Sequence, residues 1–395
     1  MFPSKNSVLG MPGWLMLIAV MTAIGPVAID LYLPAFPLIE ATFKERGVER
    51  TMASYLLGLA IGQLFYGPVS DRFGRKPPLY FGFALFCVGS VGCMLAQNMT
   101  MLMLGRIVQA VGACSGMAIG RAVVRDRCEP EQAARAFSML MTIVSLAPIL
   151  APVAGGFIVT VMSWRANFVI QATMGFGILI AMHVVMTESL DAKHVRPLHV
   201  ARVFRTYFDL LRHREFLSHT LIGGFGMASL ITYVSGAPTI LTDLFRIPPS
   251  RFGWIIGLNG LAFMLASRLN LWGLRNKKPK DLLAGAIRWP TFCGLLLVAT
   301  SFWSGAPLWA VIALQFCFFI STARVMPNAS ALALAQHARD AGSASALMGA
   351  LQSLIATLAG LILSSINNGK LAPLAILMTV CAIASWSLQR WSAAR

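Results

Sequence analysis

The sequence predicts an all-α polytopic membrane protein, with twelve transmembrane helices arranged in two six-helix half-bundles. This prediction rests on the apolar composition, on the number and length of the apolar segments, and on the position of the basic residues between them. Hydrophobic residues make up 57% of the 395 residues and charged residues only 12%, about half of the roughly 25% that is usual in soluble domains. A chain of this composition cannot cover a globule with polar surface, so the bilayer must be its solvent.

Twelve apolar segments are long enough to cross the hydrocarbon core, which requires about 20 helical residues. In chain order they are 14–36, 52–71, 78–97, 100–122, 136–160, 166–187, 216–242, 252–273, 282–303, 308–333, 342–366 and 371–390. Because the first segment has the full length of a span, we expect an anchored helix there and not a cleaved signal peptide.

The longest polar stretch, 187–215, separates the first six spans from the last six. Two consecutive sets of six spans are typical of transporters that are built from two parallel repeats. We therefore predict an N-terminal six-helix half at 1–187, a cytoplasmic linker at 188–215 and a C-terminal six-helix half at 216–395.

The positive charge is distributed unequally between the two sides of the membrane. A formal net charge of +17 would suit nucleic acid binding, but the basic residues lie between apolar runs, as the positive-inside rule describes. When both termini are placed on one side, that side receives 21 Lys and Arg and the other side seven. The excess predicts that both termini are cytoplasmic, and nucleic acid is not an expected partner.

Asp30 is the one acidic residue, of 15, that falls within a predicted span, and four arginines do so: Arg106, Arg268, Arg288 and Arg324. A carboxylate inside a span costs about 2.5–3.5 kcal/mol on insertion scales, so it is a functional candidate by default. Asp30 and Arg106 each lie six residues, or roughly 9 Å, inside the outer end of their spans. We expect these two side chains to share one cavity; a structural ion pair is the alternative. For the other arginines we expect snorkelling or gate packing rather than substrate contact.

The segment Gly67–Pro77, the signature loop below, reads Gly-Pro-Val-Ser-Asp-Arg-Phe-Gly-Arg-Lys-Pro and connects two spans. Its glycines permit tight backbone geometry. This segment resembles the signature loop of the major facilitator superfamily, Gly-x-x-x-Asp-Arg-x-Gly-Arg-[Lys/Arg]. The resemblance implies a cytoplasmic gate formed by Gly67, Asp71, Arg72, Gly74, Arg75, Arg121 and Arg125. It also implies that Asp71 docks near the start of the eleventh helix, around Gly342, where a helix dipole favours negative charge.

Other segments narrow the resemblance to one branch of that superfamily. Asp30 lies in Ile-Asp-Leu-Tyr-Leu-Pro-Ala-Phe-Pro, Arg106 in Leu-Gly-Arg-Ile-Val-Gln-Ala-Val-Gly-Ala, and 147–156 reads Ala-Pro-Ile-Leu-Ala-Pro-Val-Ala-Gly-Gly. The combination resembles the bicyclomycin/chloramphenicol-resistance branch of the drug/proton antiporters. The resemblance implies that Asp30 carries the proton, that Arg106 holds or releases its carboxylate, and that Tyr32 joins them at a substrate cavity. The implied helix-packing motif is Pro148, Pro152, Gly155 and Gly156.

The function implied by this resemblance is proton-coupled efflux of small amphipathic compounds across a bacterial inner membrane by alternating access. The chain is not expected to be an enzyme: it has no phosphate-binding Gly-x-x-x-x-Gly-Lys-[Ser/Thr] loop, and its seven cysteines form no Cys-x-x-Cys pair. No cofactor or metal is expected beyond the proton gradient. The expected partners are a small-molecule substrate, protons and the lipid bilayer, with the chain acting as a monomer. The alternatives are a metabolite transporter of the same fold, for a sugar or amino-acid derivative, and a transport-inactive receptor or scaffold.

Overall fold

The computed structural model describes residues 7–8, 11–128, 130–190, 200–303, 307–337 and 341–393. Part of the predicted linker, 191–199, lies outside the described residues. So do five of the basic residues counted above, namely Lys5, Lys193, Arg196, Arg339 and Arg395. Two short antiparallel strands, β1 (Ser7–Val8) and β2 (Met11–Pro12), precede the first helix.

The first six spans contain seven helices, because the first span consists of two helices joined by a 3₁₀ turn (Leu33–Ala35). These helices are α1 (Gly13–Asp30), α2 (Phe36–Phe43), α3 (Glu49–Phe73), α4 (Lys76–Met94), α5 (Met99–Arg127), α6 (Pro130–Val161) and α7 (Ala166–Val185). We call α1–α7 the first half.

The remaining helices begin inside the predicted linker with α8 (Val200–Arg212). They continue with α9 (Arg214–Thr239), α10 (Pro249–Leu274), α11 (Pro279–Ala286), α12 (Arg288–Ser301), α13 (Leu308–Leu334), α14 (Ala341–Ile366) and α15 (Leu371–Ala393). We call α9–α15 the second half. A π-helical turn (Ile240–Leu244) extends α9.

Within the described ranges, eleven helical segments are long and apolar enough to cross a membrane, and a further apolar segment, Leu146–Val161, lies in α6. Every predicted span therefore coincides with a helix or with a pair of consecutive helices. The boundaries shift by a few residues; α3, for example, begins at Glu49, three residues before the predicted span. The predicted fold class is confirmed.

The same packing pattern occurs in both halves. In the first half α5 packs against α3 and α4, α4 packs against α7, and α1 packs against α6. In the second half α13 packs against α10 and α12, α12 packs against α15, and α9 packs against α14. Each of these contacts in the second half matches a contact in the first half between the helices six spans earlier, as two parallel repeats require.

The two halves meet through α3 with α14 and through α6 with α10. We call the end of the bundle that carries the signature loop the loop face, and the opposite end the far face. At the far face the 3₁₀ turn of the first span contacts α9 and α10, and Leu33 is fully buried. Toward the loop face, Val20 of α1, Arg121 of α5 and Pro327 of α13 are exposed. The structure is therefore closed at the far face and open at the loop face.

Glycines allow close approach between helices inside the first half. A Cβ atom on Gly112 of α5 would meet the backbone of Gly82 and Phe86 in α4. Small residues at such crossings are typical of membrane helices, whose association depends on van der Waals packing rather than on the hydrophobic effect.

Gly112→Ala is expected to destabilise the protein by roughly 1–3 kcal/mol, because backbone atoms cannot move away from the added methyl group. The matched control is Gly177→Ala in α7, where a Cβ atom would meet no other atom within 4 Å. The unfolding midpoint of the detergent-solubilised protein measures both. Equal midpoints for the two variants would contradict the close packing of α4 and α5.

Candidate functional site

Asp30 is the last residue of α1, directly before the chain enters the 3₁₀ turn at the closed far face. Its side chain is 9% exposed. Among the described residues it has neither a hydrogen-bond partner nor an ion-pair partner. A carboxyl group in such a place is energetically costly and is retained where it has a function.

Arg106 of α5 is completely buried and lies between aromatic rings. The centre of its guanidinium group is 4.1 Å from the ring centroid of Tyr55 and 4.7 Å from that of Tyr32. Its Nη1 donates to the carbonyl oxygen of Ala28 at 3.1 Å and to Oε1 of Gln109 at 2.7 Å. Its Nε and Nη2 have no partner among the described atoms. Cation–π contacts and neutral acceptors thus stabilise the charge without a carboxylate.

A row of buried amides continues from Arg106 across the first half. Nε2 of Gln109 donates to Oγ of Ser90 and to Oε1 of Gln171, each at 2.7 Å. Asn167, one helical turn before Gln171 in α7, is fully buried, and both polar atoms of its side chain lack a described partner. Gln109 and Asn167 were not among the predicted site residues. The available signal was the spacing, because Gln109 follows Arg106 by three residues on one helix face.

The structure brings the predicted pair together without bonding them. Arg106 contacts Ala28 and Tyr32, which lie two residues to either side of Asp30. Both side chains are therefore in the far-face part of the first half, as their equal depths predict. The alternative of a structural ion pair does not describe this conformation.

Glu49 is a second buried acid, which was not among the predicted site residues. It is the first residue of α3, is 1% exposed, and accepts a hydrogen bond from Nδ2 of Asn367 in the second half. Its second carboxylate oxygen has no described partner. The predicted span began at residue 52 and so left Glu49 in a loop. The contact that buries it comes from 318 residues away in the chain, which no local pattern shows.

The predicted packing motif in α6 lies between the site and the second half. A Cβ atom on Gly155 would meet the carbonyl oxygen of Leu31, next to Asp30. Ile149, between the motif prolines Pro148 and Pro152, packs against Gly260 of α10. The motif therefore lies both beside the end of α1 and at the contact between the halves, and Gly156 is buried with it.

Arg75 joins the signature loop to neighbouring helices through its guanidinium group. Its Nη1 donates to Oδ1 of Asp71 at 2.5 Å and to Oγ of Ser70 at 2.9 Å, and its Nε donates to Oδ2 of Asp126 at 2.8 Å. Burial alone would lower the pKa of Arg75, but the bonds to Asp126 and Asp71 outweigh burial and raise it. One guanidinium group thus joins the ends of α3 and α5 to the start of α4.

Glu188, which follows α7, completes this network and was not predicted. Its carboxylate accepts from the backbone N–H groups of Arg75 and Lys76 at 2.9 and 3.0 Å, at the start of α4. The N–H groups of Ser189 and Leu190 also donate to it. Partial burial would raise the pKa of Glu188, but these four donors together lower it. Gly74 has φ +86°, and a Cβ atom there would lie only 2.7 Å from Oε2 of Glu188, so the position favours glycine for two reasons.

The other predicted gate residues lie apart from the second half in this conformation. Asp71 pairs with Arg75 and does not dock around Gly342, where a Cβ atom would meet nothing within 4 Å. The expected docking is therefore absent from this conformation, in which the loop face is open. Arg72, Arg121 and Arg125 are exposed, and Gly67 faces open space within the last turns of α3.

Of the three other intramembrane arginines, Arg268 and Arg288 are exposed and Arg324 is partly buried. Snorkelling or gate packing of these three side chains stays a prediction.

Comparisons with known proteins agree with this architecture. The family model described as Major Facilitator Superfamily matches residues 15–364. The "Uncharacterized MFS-type transporter YdgK" of Bacillus subtilis (strain 168) is 31% identical over 373 residues, which are 93% of this chain and 92% of that protein. The "Bicyclomycin resistance protein homolog" of Haemophilus influenzae is 26% identical over 388 residues, 94% of each chain.

The crystal structure of a D-xylose-proton symporter has a TM-score of 0.76 at 14% identity. The match covers 95% of this chain and 97% of that one, which shows a similar fold. The resemblance drawn from the signature loop is confirmed.

Glu188→Gln is expected to lower the unfolding midpoint at neutral pH by an amount equivalent to about 1 kcal/mol, the usual value of a helix N-terminal cap. Because the pKa of Glu188 is lowered by folding, its stabilisation is complete above the usual glutamate pKa and is lost as the pH falls through the lowered value. The difference from the unmodified protein should therefore shrink in acid.

The control for this variant is Glu45→Gln, which removes an exposed ion pair with Arg50 and should change the midpoint little. Thermal unfolding followed over a pH series measures both. If Glu188→Gln had the same midpoint as the unmodified protein at every pH, the carboxylate would not stabilise the start of α4.

Proposed function

Because the chain belongs to the Major Facilitator Superfamily, we propose that it is a proton-coupled antiporter that exports small amphipathic compounds by alternating access. Members of this family are transporters and not enzymes, so the chain moves its substrate without converting it. The Haemophilus influenzae relative is named for bicyclomycin resistance. That name supports a drug-like substrate, and the bacterial origin of the relatives supports a location in an inner membrane.

The observation that carries the proposal is the state of Asp30. Its carboxyl group is buried and unpartnered at the closed end of the first half, beside an arginine that is stabilised by rings and amides. A carboxyl group that served only as a structural partner of Arg106 would be bonded to it. Asp30 is instead free to exchange a proton, or to bind the donor group of a substrate.

The excess of Lys and Arg on the side of the signature loop makes the loop face cytoplasmic in this proposal. The conformation described here is then the inward-facing state. Both termini are cytoplasmic, and the substrate enters from the cytoplasm or from the inner leaflet of the membrane.

The transport cycle is a competition for Asp30. In the outward-facing state the carboxylate takes a proton from the outside and releases the substrate. The neutral side chain no longer penalises movement through an apolar barrier, so the halves rock to the inward-facing state. There the proton leaves, and the restored charge attracts a cationic or hydrogen-bonding substrate.

Asp71 changes partner during the same cycle. In the inward-facing state it is bound to Arg75 and is about half exposed. When the loop face closes, the start of α14 approaches the signature loop and its helix dipole attracts Asp71. Arg75 retains Asp126 as a partner during this exchange.

Asp30→Asn is expected to insert and fold but to lose proton-driven efflux, because an amide cannot carry the proton. Substrate binding can persist in this variant. The measurement is efflux from proteoliposomes under an imposed pH gradient, with Asp281→Asn, an exposed acid in α11, as the matched control. Unchanged efflux in Asp30→Asn would show that another group carries the proton.

If Asp30 is the single proton carrier, one proton crosses the membrane in each transport cycle. A neutral substrate is then exported electrogenically, whereas a monovalent cation leaves in an electroneutral exchange that responds to the pH difference and not to voltage. The membrane potential contributes about 2.3 kcal/mol per charge per 100 mV, so the two cases are clearly separated. Efflux is measured with a potassium-diffusion potential and a pH gradient imposed one at a time.

Strong acceleration of cation export by voltage alone would indicate a second coupling group. Glu40 and Asp243 are the acids near span ends that the sequence offers for this role. The carboxylate of Glu40 already accepts hydrogen bonds from the backbone N–H groups of Gly47 and Val48. The Asp243 side chain lies outside the described residues. Glu49, which is buried between the halves, is then the first residue to replace.

A further inference from the structure

The helix α8 lies in the segment predicted to be a polar linker, yet it has a fully apolar side packed on the bundle. Tyr207 and Leu210 are buried and Val203 is partly buried, and the three positions are spaced as one helix face. They pack against Leu347 and Met348 of α14.

The same face of α8 also reaches the first half. The hydroxyl group of Tyr207 donates to the carbonyl oxygen of Leu64 in α3 at 3.0 Å. The helix therefore contacts both halves near the loop face, where they must separate and close.

A second apolar stripe on α8 is exposed. Phe204, Phe208 and Leu211 are 59%, 52% and 38% exposed. Each follows one residue after a member of the docked face, so the stripe lies about 100° around the helix from it. Three large apolar side chains in one exposed row exceed the scattered apolar residues of an ordinary water-facing surface.

Basic residues border this exposed stripe. Arg205 and Arg212 are exposed, and the guanidinium centre of Arg212 is 4.1 Å from the ring centroid of Phe208. Asp209 is the one acid in α8. An apolar row with arginines along its edge is typical of helices that lie in the membrane interface, with apolar side chains among the acyl chains and cations at the headgroups.

The residue of α3 that α8 contacts is also next to surface that faces the acyl chains. Leu64, the partner of Tyr207, is followed by Phe65, which is 55% exposed. Phe65, Phe73 and Phe81 line an apolar groove of about 480 Å³ between α3 and α4. In a chain that spans the membrane, an exposed aromatic groove on the outer wall of the bundle is in contact with lipid.

We propose that α8 is an interfacial helix that binds anionic lipid at the loop face, with Phe204, Phe208 and Leu211 among the acyl chains and Arg205 and Arg212 on the headgroups. Because its other face contacts α3 and α14, bound lipid holds α8 against both halves and influences how far the loop face opens. The proposal rests on the membrane-spanning fold and the contacts of α8, and it does not depend on the identity of the exported compound or on proton coupling.

The first test locates the stripe relative to the bilayer. In a cysteine-free form of the full chain, a nitroxide label is attached at Phe208→Cys or at the neighbouring position, Asp209→Cys, and the protein is placed in nanodiscs. We expect the label at 208 to collide mainly with oxygen, which partitions into acyl chains, and the label at 209 mainly with a water-soluble nickel chelate. A label at 208 that collides mainly with the nickel chelate would overturn the proposal and would mean that the stripe faces water or a protein partner.

The second test retains the native cysteines and measures the charge requirement. Deuterium uptake of the α8 backbone is followed in nanodiscs of phosphatidylcholine that contain increasing phosphatidylglycerol. We expect phosphatidylglycerol to slow the uptake. Arg205→Gln/Arg212→Gln should raise the phosphatidylglycerol fraction needed for this effect, with about fivefold lost in lipid affinity per arginine.

The matched control is Lys278→Gln/Lys280→Gln, which removes two exposed cations beside and within the first turn of α11 and should leave the lipid effect unchanged. Uptake that does not respond to phosphatidylglycerol would overturn the proposal. An equal loss of response in the lysine variant would do so as well, because the effect would then follow from net charge and not from α8.

Discussion

The cost of placing charge where there is no water is the constraint on which the rest of this structure depends. Arg106 meets it with two aromatic rings, a carbonyl oxygen and an amide, so the cation is stabilised without a carboxylate. Asp30 is thereby left without a partner. The second half avoids the problem: Gln315 lies seven residues after the start of α13, as Arg106 does in α5, and its amide donates to Asn259 at 2.6 Å. A charged residue in the first half thus corresponds to an amide in the second, although the two halves share one packing pattern.

Each half must move as a body if the bundle is to alternate, and the loop network provides the stiffness for the first half. Arg75 joins the ends of α3 and α5, and Glu188 ties the start of α4 to the end of α7. These bonds lie within one half, so they persist when the halves separate. Contacts between the halves are of a different kind. They are apolar, as where Ile149 packs on Gly260, or they are few and polar, as between Glu49 and Asn367. Strong charged bonds inside a half and weaker contacts between halves are what rigid-body motion requires.

Local patterns were sufficient to predict the spans and to place Arg106 beside the Asp30 segment, because apolar runs and the rise per residue determine both. They were also sufficient to identify the signature loop, in which Gly74 adopts a positive φ beside the carboxylate of Glu188. They were not sufficient for Glu188 or Glu49, whose partners lie 113 and 318 residues away. They also failed for α8. Its three arginines give the segment a polar composition, whereas the apolar positions become evident only on a helical projection. The docking of Asp71 depends on which face is open, and a sequence does not specify one conformation.

The two buried acids at the far face differ in which half of the molecule surrounds them. The groups placed next to Asp30, the rings beside Arg106 and the backbone approach of Gly155, belong to its own half. In the proposed cycle its exposure therefore depends on which face is open, and it exchanges protons with that side. Glu49 is buried by Asn367, which belongs to the other half. Opening of the far face removes that contact and hydrates the carboxylate, whereas opening of the loop face leaves it in place. In the proposed cycle Asp30 is therefore the group that meets both sides of the membrane, while Glu49 responds to the closure of one gate.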